Sequence, residues 1–236
     1  MPLNTIATAW PLLLGMGVLM LGAGLQSTLL GVRASIEDFP TSVIGVVMSA
    51  YYVGYLLGTI AAPQLIRKVG HIRVFAALAA VASAATLLQA VFVHPLPWAV
   101  MRLMTGFCFA GIYVVAESWL NERATRANRA RLLAVYMVVL YVGLGAAQFL
   151  LVLSNPRSAS PFMLVSALIS LAMVPIVLSA QPTPAVVVPR SVRYRDLYRN
   201  SPLGVVAVTV AGLGFWLPGL LYELVRQTTQ IIGGAL

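Results

Sequence analysis

The sequence predicts an all-α membrane protein in which six transmembrane helices are followed by a seventh, incomplete one. Three observations lead there. Hydrophobic residues make up 60% of the 236 residues and charged residues only 9%, against about 25% charged in ordinary soluble domains. Six apolar stretches, each close to the roughly 20 residues a helix needs to cross a hydrocarbon core of about 30 Å, are separated by short loops. Loop charge alternates as well, poor after the first, third and fifth stretches and rich after the second, fourth and sixth. Eleven of the fifteen Lys and Arg fall in those three rich loops. The positive-inside rule assigns them, and with them the N-terminus, to the cytoplasm. A net charge of +9 would invite a nucleic-acid reading in a soluble protein. Here loop position accounts for it, and no nucleic-acid partner is expected.

In chain order, the first apolar stretch runs from about Ala9 to Val32 and no Lys or Arg precedes it, unlike a cleaved signal peptide. Gly15, Gly17, Gly22, Gly24 and Gly31 let neighbours approach closely, and Gln26, Ser27 and Thr28 add polarity. After a loop ending at Pro40, Thr41 or Ser42 is placed to cap the second helix, about Val43 to Ile66. Gly54, Gly58 and Ala62 recur every four residues there and read as a packing seam. Tyr51, Tyr52 and Tyr55 fit interface, core or cavity. The next loop, Arg67 to Arg73, sets three cations around Gly70, where the chain must reverse.

The third helix, about Val74 to Val93, is Ala-rich, and His94, Pro95 and Pro97 are expected to end it by interrupting the hydrogen-bond ladder. The fourth, Trp98 to Asn121, carries Arg102 and Glu117. An ionised side chain in lipid costs at least about 2.5 to 3.5 kcal/mol, so both should face a bundle interior or a wet cavity. Fifteen residues at about 100° each bring Glu117 within roughly 60° of Arg102, with Gly106 and Tyr113 on the arc between them. The fifth helix, about Leu132 to Leu153, contains Tyr136, Tyr141, Gly143, Gly145 and Gln148, and the sixth, Phe162 to Ser179, is nearly all aliphatic. Cys108 is alone, so no intrachain disulfide is possible.

The expected organisation is therefore a six-helix bundle over residues 1–180, a basic linker over 181–203, and a seventh apolar segment over 204–236 that looks truncated. Loop alternation makes helices one to three and four to six two units of opposite orientation, the topology of inverted repeats. No residue-level repeat accompanies it.

The spacing Arg102, Thr105, Gly106 resembles the fourth-helix motif of the major facilitator superfamily, and Arg67 to Arg73 resembles its loop between helices two and three. Six helices and a basic linker look like the N-terminal half of such a transporter. The run Gly111 to Arg131, with Ala116, Glu117, Ser118, Trp119, Leu120 and Asn121, resembles a bacterial inner-membrane branch of that superfamily. The chain departs from the loop motif at Arg67, where an aspartate is usual, and at Pro63, where a glycine is. Its fifth helix lacks the glycine-proline pair of drug antiporters, so multidrug export is not what the resemblance implies.

What the resemblance implies is a secondary active transporter, or half of one, that moves a small solute across a bacterial inner membrane by alternating access, with or without proton coupling. Arg102, Gln26, Tyr113, Tyr141 and Gln148 are its candidate substrate or coupling residues. Gly70, Arg73, Gly106, Glu117 and Arg123 are its conformational or loop positions, with Glu117 expected to pair with Arg123 or Arg126. Expected partners are the lipid bilayer, the solute and a complementing C-terminal half. A seven-helix receptor or sensor and a channel or assembly subunit are the alternatives. No phosphate-binding loop or metal-ligand spacing is present in the sequence, so no enzyme activity and no cofactor are expected.

Overall fold

The computed structural model describes residues 3–178, Arg126 excepted, and side chains from Ala9 onward. The expected linker and seventh segment lie outside the described residues. Six helices follow one another: α1 (Leu3–Ile36), α2 (Thr41–Val69), α3 (His71–Val91), α4 (Pro95–Arg123), α5 (Arg129–Leu153) and α6 (Ser160–Val177). All six include a span long and apolar enough to cross a membrane.

Contacts fix their directions. Along α2 and α4 the neighbours rise together, Gly54 with Leu103, Gly58 with Phe107 and Ala62 with Gly111, so these helices run parallel. Likewise Gly17 meets Val139, Met20 meets Gly143 and Gly24 meets Ala147, making α1 and α5 parallel. Neighbours run oppositely between α3 and α4, where His71 meets Ser118, Leu78 meets Gly111 and Gln89 meets Trp98. They also run oppositely between α1 and α6, where Gly15 meets Ile176 and Gly22 meets Ile169. Odd helices thus point one way and even helices the other. The turn at Gly70 and the turn between α4 and α5 share one end of the bundle.

Exchanging α1, α2 and α3 for α4, α5 and α6 maps the α2/α4 packing onto α5/α1 and the α1/α6 packing onto α4/α3, and returns α3/α6 to itself. That is the pairing of two inverted three-helix repeats. Glycine makes both parallel seams possible. In lipid, helices gain no hydrophobic advantage from touching each other, so association depends on close van der Waals packing, which small residues allow. A Cβ on Gly54 would stand 1.9 Å from the Leu103 carbonyl oxygen, and one on Gly106 2.0 Å from that of Tyr51. Neither position has room for a side chain.

Several helix ends differ from expectation. Pro40 holds the N-cap position of α2, and Thr41 is already helical with no side-chain cap bond. Pro95 and Pro97 do not terminate α3, which stops at Val91. They stand in the first turn of α4, where an absent N–H removes no intrahelical bond. His94 is the N-cap there, its Nδ1 accepting from the Leu96 N–H. The loop expected over Arg67 to Arg73 shrinks to Gly70, whose N–H donates to Ile66 O at 2.8 Å and whose φ of 86° suits only glycine without strain. Arg67 and Lys68 complete the last turn of α2, where cations complement the helix dipole. Arg73 lies in the first turn of α3.

The interior is not wholly apolar. Gln26 of α1 donates to Thr86 Oγ1 at 2.9 Å and to Gln89 Oε1 at 3.0 Å, both on α3 and all fully buried. Trp98 Nε1 donates to Gln89 O at 3.0 Å. Ser83 joins α3 to α6 through Ser166 and Ser170. At the other end from Gly70, Arg33 pairs with Glu37 at 2.6 Å and donates to the carbonyls of Pro156 and Arg157, tying the end of α1 to the loop after α5. Coverage is uneven. In their most apolar windows only 17% of α2 and 22% of α5 residues are buried, against 61% in α1 and α4, so the outer faces of α2 and α5 are bare.

A polar and aromatic row along α4

The α4 face that the sequence marks as polar becomes a row shared with α2 and α5. Arg102 is buried at 5% exposure, two turns into α4. Its guanidinium lies over the Tyr51 ring of α2, 4.5 Å from the centroid, a cation–π contact. No carboxylate pairs with it among the described residues, and its Nε has no hydrogen-bond partner. The seam places the two groups together: with Gly106 against the Tyr51 backbone, Arg102, one turn earlier on α4, meets the Tyr51 ring.

From Tyr51 the aromatic rings continue toward the Gly70 end. Tyr51 and Tyr55 lie 6.1 Å apart, Tyr51 and Phe109 6.5 Å, and Tyr55 and Tyr113 6.2 Å. The Tyr113 hydroxyl donates to Met20 Sδ at 3.1 Å, which binds α4 to α1. Tyr136 of α5 is fully buried, with a hydroxyl that lacks a partner. One turn beyond Tyr113, Glu117 is exposed and lies within electrostatic reach of Tyr55, Tyr113 and Tyr136. It forms no ion pair among the described residues. The expected pairing with Arg123 is not made, because that guanidinium lies over the Trp119 ring, 5.3 Å from its centroid. Arg126 lies outside the described residues.

Arg102 and Glu117 are fifteen residues apart, about 22 Å along the helix axis. They mark the two ends of the row and do not form a pair. The other candidates fall elsewhere. Gln26 is a buried structural link to α3. Gln148 is exposed and accepts from Thr28 Oγ1 at 3.2 Å. Tyr141 is 71% exposed on the bare face of α5, away from the interior row. Gly106 serves the seam, and Gly70 and Arg73 serve the turn between α2 and α3.

A second polar group lies at the Gly70 end. His71 opens α3, is 1% exposed, and sets Nε2 3.2 Å from Ser118 Oγ and 3.8 Å from Glu122 Oε1. The sequence signal for it was the run Ser118 to Glu122, which placed polar groups beyond the apolar stretch and one turn apart.

Comparison with known proteins agrees with this architecture. The family described as Major Facilitator Superfamily matches residues 12–232. The chain is 34% identical over 168 residues to the "Uncharacterized MFS-type transporter YE1530" of Yersinia enterocolitica, covering 70% of this chain and 43% of that protein. It is 31% identical over 223 residues to an "Uncharacterized MFS-type transporter" of Yersinia pestis, covering 90% and 56%. It is 35% identical over 139 residues to the "Uncharacterized MFS-type transporter YcaD" of Escherichia fergusonii, covering 59% and 36%. The chain spans about half the length of the curated relatives it matches. With six membrane-length helices among its described residues paired as inverted repeats and a family match over most of its length, this multi-pass membrane protein belongs to the major facilitator superfamily.

Proposed function

We propose that the chain forms the first bundle of a secondary active transporter that carries a small solute across a bacterial inner membrane by alternating access. The row from Arg102 to Glu117 is the chain's side of the pathway. The observation that carries this reading is the row itself: a buried cation, Tyr113 and an exposed carboxylate on one face of a membrane-length helix, with Tyr51 and Tyr55 brought beside them by α2 and Tyr136 by α5. Intramembrane ionisable groups are costly and mark solute or ion pathways. Arg102 supplies the fixed positive charge, and Tyr55 and Tyr113 line the path between it and Glu117.

The bare outer face of α2 supports a second six-helix bundle as the partner. Rocking of one bundle against the other about a site near the midplane is the motion such repeats permit. The Gly70 end, flanked by Arg67, Lys68, Arg73 and Arg123, is the cytoplasmic end by its cations.

The test is reconstitution in liposomes, with the chain alone and with the second half of the Yersinia pestis relative. Uptake from a metabolite mixture, read by mass spectrometry, is expected to be saturable only when both halves are present and to vanish with Arg102→Ala. Saturable flux from the chain alone would remove the need for a second bundle. Full flux with Arg102→Ala would remove the row from the pathway.

A further inference from the structure

An apolar groove of about 520 Å³ runs along the outside of the α1/α5 seam, walled by Leu14, Gly17 and Leu21 of α1 and by Val138, Val142 and Ala146 of α5. Leu14, Val138 and Val142 are all exposed, so the groove is open among the described residues. What sets it apart from a plain lipid-facing surface is the chemistry at its Gly70 end.

Successive residues of a helix turn by about 100°, so positions seven apart share a face. Trp10 therefore stands on the face of Gly17, and Arg131 on the face of Val138. Both are exposed. The register that sets Gly17 against Val139 brings Trp10 level with Leu132, one residue from Arg131, so the two side chains flank the same end of the groove. They also stand at the start of the membrane-length spans, Ala9–Ile36 in α1 and Arg129–Leu153 in α5. From Arg131 to Ala146 is about 22 Å along the axis. That matches one leaflet of a bilayer about 40 to 45 Å thick with its headgroups.

Indole rings favour the membrane interface, and basic side chains near it attract anionic lipid. Arg131 has no carboxylate partner among the described residues. It also lies in the first turn of α5, which holds no acidic residue and where the helix dipole disfavours a cation and favours an anion. A phosphate beside Arg131 complements the guanidinium and the helix end together.

We propose that this groove binds an anionic phospholipid from the leaflet at the Gly70 end, with its phosphate between Trp10 and Arg131 and an acyl chain lying along Leu14, Gly17 and Val142. The site is separate from the row along α4 and does not depend on which solute is carried.

The test exchanges the purified 236-residue chain in detergent micelles with equal amounts of phosphatidylglycerol and phosphatidylcholine of the same acyl chains, and counts retained lipid by native mass spectrometry. Phosphatidylglycerol should be preferred by about fivefold or more. Arg131→Gln should remove most of that preference, whereas Arg129→Gln, about 200° away around the helix, should leave it in place. Val142→Trp, which fills the groove from an exposed position, should reduce retention of both lipids severalfold. Elution volumes should match the parent, since all three sites are exposed. In native membranes, a photoreactive residue at Val138 should crosslink to phospholipid. Equal retention of the two lipids, equal losses in Arg129→Gln and Arg131→Gln, or parent-level retention in Val142→Trp would overturn the proposal. So would crosslinking of Val138 to a second copy of the chain or to residues 179–236, which would name a different occupant.

Discussion

The α2/α4 seam and the α1/α5 seam are equivalent in topology, parallel pairs exchanged by the repeat relation, and both are lined with glycine. Their chemistry is not equivalent. Four residues before Gly106 in the first seam stands Arg102, over the Tyr51 ring. Four residues before Gly17 and Gly24 in the second stand Leu13 and Met20. Outside the second seam lies an apolar groove of about 520 Å³ lined by Leu13, Leu14, Gly17, Val138 and Val142 among others, which suits acyl chains. Close backbone packing is common to both seams, and the side chains beside one of them are polar. Small-residue spacing is what the fold requires of both seams, and a buried charge is what distinguishes the α2/α4 seam.

Breaking each seam should show how far the equivalence goes. The largest effect is expected from Gly106→Ala. Its Cβ would meet the Tyr51 carbonyl oxygen at 2.0 Å, backbone against backbone, which cannot relax as a flexible side chain would. A loss exceeding about 3 kcal/mol, the upper range for overpacking, should appear as loss of monodisperse protein in fluorescence-detected size exclusion. A comparable fall is expected when charge is introduced into the apolar seam: Met20→Arg, at a fully buried site, should cost at least about 3 kcal/mol. By contrast, Arg102→Met should stay within about 1 kcal/mol of the parent in thermal unfolding, because the lost cation–π contact is offset by relief of a buried charge. A parent-like midpoint for Met20→Arg, or unfolding of Arg102→Met, would show that the seams do not differ as described.

Smaller effects sharpen the same contrast. Gln26→Leu leaves Thr86 and Gln89 buried without their α1 partner and should cost about 1 to 2 kcal/mol, measured by the same thermal assay. Gly17→Ala should cost about 1 kcal/mol or less, since its Cβ would meet only the Val139 Cγ1 at 3.2 Å. Gly145→Ala meets nothing within 4 Å and serves as the neutral control.

Much of the fold was legible in the sequence because each helix had to satisfy the bilayer by itself. Apolar length gave the six helices and their order, and loop charge gave their alternation. The insertion cost of a lone arginine was enough to place Arg102 inside. Tertiary pairing was harder to read. Nothing local says that Gln26 meets Thr86 and Gln89, since a polar residue on an apolar helix shows its need for a partner but not which helix supplies one. Tyr51 was ambiguous for the same reason until the glycines of α2 and α4 fixed the register that sets it beneath Arg102. Pro95 and Pro97 are ambiguous in the sequence because proline interrupts a helix interior and starts a helix equally well, and His94 as N-cap decides for the start. Of the two arginines expected to pair with Glu117, Arg123 is directed to Trp119 by the turn of the helix, and Arg126 lies outside the described residues.

An aqueous path along the α2/α4 side of the bundle and lipid against the α1/α5 outer face predict opposite accessibility to a water-soluble probe. Single cysteines at Tyr55 and Glu117, and at the exposed Leu14 and Val142, introduced with Cys108→Ala, test it through reaction with a charged, water-soluble thiol reagent in native membranes. Labelling at Tyr55 and Glu117 should be at least about tenfold faster than at Leu14 and Val142, because a charged reagent is excluded from hydrocarbon. Equal or slower labelling at Glu117 than at Leu14 would contradict the account.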